Sequence, residues 1–122
     1  MAQMKKMTLA EIKDKAPVTV GHNRTISVWK GVFCCFLHGH EIAQFGFDPN
    51  DDKVVKVTLD HHGYMTTTTR NAMKDFMKYF GVDGSVSFAK GKFAVRYQGV
   101  DTRYHDLEDC PSVTTITAMV NR

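Results

Sequence analysis

The sequence predicts an α+β fold, an antiparallel β-sheet packed against one main helix, and three observations carry that expectation. Apolar and polar residues alternate in runs such as Val18-Thr19-Val20 and Val55-Lys56-Val57-Thr58-Leu59, the period of two that a half-buried strand requires. Successive strand candidates are separated by brief turn signals, His38-Gly39 and Asp48-Pro49-Asn50-Asp51-Asp52, too short for a parallel crossover. Met73, Phe76, Met77 and Phe80 recur at helical spacing, with Lys74, Asp75 and Lys78 turned elsewhere. An antiparallel meander carrying one principal helix across a face follows.

Taken in order, residues 1–7 are polar and basic and are expected to be flexible. Thr8-Leu9-Ala10-Glu11 is a capping box, in which hydroxyl and carboxylate each satisfy the other residue's amide. A short helix over about 9–15 follows, and Pro17 stops it. Lys5, Lys6, Lys13 and Lys15 read as a solvated face, or as a basic arm for an acidic partner. Strand patterning then covers 18–20 and 26–29 around the turn Gly21-His22-Asn23. The run 32–37 is apolar at every position, which predicts a central strand covered on both faces. Strands over 41–47 and 54–59 complete a meander. The main helix is expected over about 69–80, stopped by Gly81 in the left-handed conformation. A second hairpin, 85–89 and 92–97 around Lys90-Gly91, and a last strand over 113–120 close the chain.

A single domain over 1–122 is expected, because a chain this short rarely holds two cores. With 43% hydrophobic residues, eight Phe, four Tyr and one Trp, the composition is that of a folded domain. A formal charge of +3 permits a nucleic acid, a nucleotide or an acidic protein as partner and demands none of them. Three cysteines, Cys34, Cys35 and Cys110, are a poor disulfide framework, and neighbours on a strand point to opposite faces. Buried thiols in a reducing compartment are the expectation. No N-terminal stretch has a signal peptide's apolar core, and no run approaches the roughly 20 apolar residues of a membrane span.

The junction 60–71 is the foremost candidate site. A strand-like run ends there, four threonines (66–69) follow, and the helical pattern begins. Thr67, Thr68 or Thr69 is expected to cap the helix. The free amides of the first turn, with Arg70 and either Arg24 or Arg96, would suit a phosphate. Tyr64, Tyr97 and Tyr104 are aromatic candidates for stacking on a base, or edge residues of the core. Six histidines raise a metal hypothesis, but zinc needs three or four converging ligands, and no Cys-x-x-Cys or His-Glu-x-x-His occurs. His38 and His40 would face the same way only if the strand ran through Gly39. Cys34 and Cys35 sit in the most apolar run, where burial suppresses thiolate formation. No Gly-x-Ser-x-Gly elbow and no P-loop is present. Neither an enzymatic activity, a metal nor a cofactor is expected.

Three blocks resemble a recurring kind of small bacteriophage-encoded accessory protein. They are Phe36-Leu37-His38-Gly39-His40-Glu41-Ile42-Ala43, then Leu59-x-x-x-Gly63-Tyr64-x-Thr66-x-Thr68-Thr69-Arg70-Asn71, and Lys90-Gly91-Lys92-Phe93-Ala94-Val95 with the later Tyr104-His105-Asp106. The stretch 1–30 has no counterpart in that pattern and is a candidate for specifying a partner. The resemblance implies a protein made in the cytoplasm of an infected bacterial cell, where such proteins block or divert host functions. The expected function is therefore host takeover or anti-defence by a non-enzymatic protein that binds and inhibits a host bacterial protein. Trp29, Tyr64, Arg70 and Tyr79 are the expected contacts. A different class of reading is a small nucleotide- or nucleic-acid-binding module using the amides near Thr67, Thr68 and Thr69 with Arg70. A third is a minor structural phage protein. No membrane association is expected, and an exposed edge strand over 26–29 or 113–120 would allow a homodimer.

Overall fold

Alternating apolar residues become strands and the Met/Phe stripe becomes a helix in the computed structural model, which describes residues 4–120. The chain runs α1 (Leu9–Lys15), β1 (Val18–Gly21), β2 (Arg24–Trp29), β3 (Val32–Leu37), β4 (His40–Asp48) and β5 (Asp51–Asp60). It continues through α2 (Thr67–Tyr79), β6 (Gly84–Ser87), β7 (Ala94–Gln98), β8 (Tyr104–Leu107) and β9 (Val113–Met119). Six strands form one sheet in the order β1-β2-β3-β4-β5-β9, and β6-β7-β8 form a second; every pairing is antiparallel. This is the α+β architecture the patterning predicts.

Register decides which side chains share a face. Val28, Phe33, Phe45, Val57 and Ile116 lie in one row across the large sheet, and Ile26, Cys35, Ala43 and Leu59 in the next. All but the half-buried Val28, which packs against it, belong to a single buried cluster with Ile12 of α1, the α2 stripe Ala72, Met73, Phe76 and Met77, and Val86 and Val95 of the small sheet. Both helices and the small sheet therefore pack on one face of the large sheet. The opposite face carries Ser27, Trp29, Val32, Cys34, Gln44, Thr58 and Thr115, none of which belongs to that cluster. The expectation that β3 is covered on both sides is thus corrected. Cys34, in register between Ser27 and Gln44, is buried without belonging to the cluster, while Val32 and Phe36 stay half-buried.

Caps fix both helices. Thr8 and Glu11 form the reciprocal capping box, with both bonds at 3.1 Å. Helix α2 starts two residues earlier than expected, because Thr66 caps it rather than Thr67, Thr68 or Thr69. The Thr66 hydroxyl accepts the Thr69 amide at 3.2 Å, which leaves Thr67 to Thr69 inside the first turn. At the other end Gly81 (φ 82°) reverses the chain, its amide donating to Lys78 O and that of Val82 to Met77 O, so two of the last carbonyls are satisfied. Thr66→Ala is expected to cost about 1 kcal/mol, read as a lower urea midpoint. A loss below about 0.3 kcal/mol would show that the hydroxyl does not hold the helix start.

Several local expectations shift. Lys90-Gly91 is not a tight hairpin turn; Ala89–Gly91 is a short 3-10 turn inside a longer loop whose ends, Phe88 and Phe93, meet edge to face at 5.4 Å. Strand β8 is not among the expected elements, because Tyr104, His105 and Asp106 read as polar; of this strand only Leu107 packs on the core. Of the run 26–29 only Ile26 is paired on both sides; β1 reaches no further, and Ser27, Val28 and Trp29 pair with β3 alone. The edges of the large sheet are β1 and β9, and each is partly met. Lys5 N–H donates to Val20 O at 2.7 Å, while Val82 and Gly99 bridge to Val120 and Ala118. Of the segment 1–7, residues 1–3 lie outside the described residues, and Met4 and Met7 pack against the core.

Candidate functional site

Two neighbouring turns build the site. His38 (φ 51°) and Gly39 (φ 80°) turn β3 into β4, and His62 (φ 52°) and Gly63 (φ 82°) redirect the chain from β5 toward α2. Paired positive φ values are the type I′ geometry, in which glycine takes the second position without a Cβ penalty. The turn at 61–64 is closed by the Tyr64 amide donating to His61 O at 2.7 Å. The His40 ring lies 5.9 Å from that of His62 and 5.5 Å from that of Tyr64. His62 Nε2 reaches the Glu41 carbonyl oxygen and ties the turns together.

The first turn of α2 supplies the third wall. Thr66, Thr68 and Thr69 join Leu37, His38, His40, Ile42, His61 and Tyr64 around an open cleft of about 420 Å³. That volume falls in the range of small-molecule sites. Residues of the segments 36–43 and 59–71 meet here, and the Phe93 ring lies edge to face against that of His61 at 5.2 Å.

His61 is the least exposed polar side chain of the cleft after Thr69, at 7%. It continues the inward stripe Val55-Val57-Leu59 by one more period of two. Phe88 and Phe93 hold its ring edge to face at 5.6 and 5.2 Å. The Gly63 amide donates to Nδ1 at 2.9 Å, so the neutral ring carries its proton on Nε2. Nε2 has no hydrogen-bond partner among the described residues, yet it is not sealed from solvent.

The residues picked from sequence divide between this cleft and other places. Tyr64, Thr68 and Thr69 line it; Thr67 shares the first turn of α2 but is not part of the lining. Arg70 is half-buried outside the cleft, with Nη2 donating to Asn71 Oδ1 at 3.3 Å and Nε sealed without a partner. Trp29 ends β2 on the open sheet face, 67% exposed, with the Lys30 ammonium 5.4 Å from its ring centre. Tyr79 is half-buried against the core; burial pushes its phenol pKa up, and the Met7 backbone beside it opposes that shift. Arg24 is committed to Asp75 of α2, and Arg96 lies between Asp106, at 3.8 Å, and the Tyr104 ring, at 4.9 Å. Among the described residues no Lys or Arg lines the cleft. Of the other two tyrosines, Tyr97 stacks on His105 at 5.3 Å and the Tyr104 hydroxyl donates to Asp83.

His38 and His40 share the cleft although Gly39 is a turn. Sequence reasoning weighed the histidines as metal ligands and missed His61 as a buried donor. The signal was present in the period of the β5 stripe. Among the described residues no group of three or more His, Cys, Asp or Glu is placed to hold a metal ion. The three cysteines are free; the Cys34 thiol is pushed up to about 11 by burial first and Glu41 second, and that of Cys35 is raised well above the ordinary value, chiefly by burial. Among the described residues no helix is long and apolar enough to cross a membrane. Comparison with family models, with curated proteins and with solved structures finds no match for this chain.

Proposed function

We propose that this protein is a non-enzymatic bacteriophage accessory protein that docks on a host bacterial protein and inhibits it. Trp29 carries the reading. It is the most exposed large hydrophobic residue described, and it stands at the end of a sheet face whose described residues lie outside the main buried cluster. Tryptophan exposed in this way costs solubility and is the residue type most enriched among the few that dominate binding energy. Val32 pairs with Trp29 on the same face, and Lys30 sits against the indole, which gives an apolar anchor rimmed by positive charge. Cys34, the one cysteine on that face, has its thiol pKa raised by burial, which disfavours the reactive thiolate.

The test is a pull-down from bacterial lysate with the tagged full-length chain and its Trp29→Ala variant, with bound proteins identified by mass spectrometry. One host protein should be retained by the wild type, and its activity should fall in proportion to added protein. Trp29→Ala should weaken that binding by at least about thirtyfold, the effect of losing a contact worth roughly 2 kcal/mol. Equal capture by both chains, or no host protein whose activity falls, would remove the reading.

A further inference from the structure

We infer that the cleft between the 37–40 turn, the 61–64 turn and the start of α2 is a binding site for a small oxyanion carried on a flat, largely apolar body. This is independent of the host-protein reading. Trp29 lies at one end of the β2–β3 hairpin, whereas the cleft opens at the other end of β3.

The donors come from two unrelated sources. The first is the start of α2, a helix of 13 residues whose Thr69 amide is already taken by the Thr66 hydroxyl. The amides of Thr67 and Thr68 have no partner among the described residues and carry the positive end of the helix dipole, and of the two residues Thr68 lines the cleft. The second is His61, nine-tenths buried, with Nδ1 satisfied by Gly63 and Nε2 left without a partner in the cleft wall. Nε2 is open to solvent rather than sealed, so a ring buried this deeply beside a cleft keeps one N–H donor available to an acceptor brought from outside. Two phenylalanines hold the ring in place, so the donor is oriented before any ligand arrives.

Charge and shape narrow the class. No carboxylate lines the cleft: Glu41 turns its carboxylate to the Gln44 amide at 2.7 Å, and Asp60 accepts the His62 amide at 2.9 Å. The opening therefore presents donors without competing anions. With no Lys or Arg among the described lining residues, it suits a single compact oxyanion head, a carboxylate or a phosphate monoester, held by neutral donors. Leu37 and Ile42 supply apolar surface, and the Tyr64 and His40 rings, 5.5 Å apart, offer faces for a planar group.

The experiment is an amide NMR titration of the ¹⁵N-labelled full-length chain with two probes, sodium benzoate and adenosine 5′-monophosphate. They share an oxyanion on a flat body and differ in carboxylate against phosphate. Saturable shifts at Thr67, Thr68, Gly63 and the His61 side-chain nitrogens are expected with at least one of them, and which one saturates identifies the head group. Thr68→Asp places a carboxylate at the helix start, where it favours the helix but repels the ligand. That variant should melt no lower than wild type and bind at least about tenfold more weakly. No saturation with either probe up to about 20 mM, a millimolar site being near the limit of useful binding, would overturn the inference. So would shifts that map elsewhere, or undiminished binding by Thr68→Asp. Loss of host capture in Trp29→Ala leaves these shifts untouched, so the two readings fail separately.

Discussion

Replacing Phe45 with alanine is expected to cost about 3–5 kcal/mol, a large share of the roughly 5–15 kcal/mol that holds a domain of this size together. Phe45 is fully buried in the middle of the large sheet, opposite Phe33 on one side and Val57 on the other. Its ring stacks on Phe80 at 4.4 Å, and Phe80 in turn lies 5.2 Å from Phe33 and 6.3 Å from Phe47. Phe80 is the residue that ends α2. Truncation at 45 therefore leaves a cavity and also removes the surface against which the end of the helix is seated. With a urea slope near 2 kcal/mol per molar, the unfolding midpoint should fall by about 2 M. A fall of less than about 0.5 M would show that the helix is not anchored through this stack.

Gly84→Ala is expected to be nearly as damaging, for a steric reason. Gly84 pairs with Tyr97 in the small sheet, and a Cβ there would lie 2.3 Å from the Arg96 carbonyl oxygen, 3.0 Å from Met77 Cε and 3.2 Å from Tyr97 Cα. Two of the three neighbours are backbone, so a side-chain rotation gives no relief. Strand β6 must separate from β7 or shift against α2, at a cost of about 3 kcal/mol, the upper end for overpacking. Gly46→Ala is the control. Its Cβ would meet only Val32 Cγ2 at an ordinary 3.7 Å, and its stability should stay within about 0.5 kcal/mol of wild type. Equal melting temperatures for the two variants would contradict the close approach of β6 to β7.

Most of the fold was legible because its signals act over a few residues. Alternation in 54–59 and the spacing of Met73, Phe76, Met77 and Phe80 depend only on backbone period. Gly39, Gly63 and Gly81 all take positive φ, and the first and last sit where turn chemistry placed them. The errors fell where neighbours outvote local preference. Cys34 reads as half of a doubly covered strand, yet it is buried between the register partners Ser27 and Gln44 without joining the main cluster. β8 reads as a polar segment because its exposed side dominates the composition, while its pairing with β7 makes it a strand.

Local chemistry thus settled the elements, their turns and the fact that a helix begins among the threonines. Which residues gather into one place was settled by strand order and register, which bring together positions far apart in the chain. Arg24 could not serve a ligand at the start of α2, because folding sets it against Asp75, 51 residues away. Arg70 follows the threonines directly, yet at about 100° of rotation per residue it need not share the face that Thr68 and Thr69 turn to the cleft. His61 became a held, unpartnered donor through Phe88 and Phe93, a contact that exists only once the small sheet folds over the large one. Periods and propensities carry information across about four residues, whereas a site is a coincidence of distant segments, and sheet register is what arranges it.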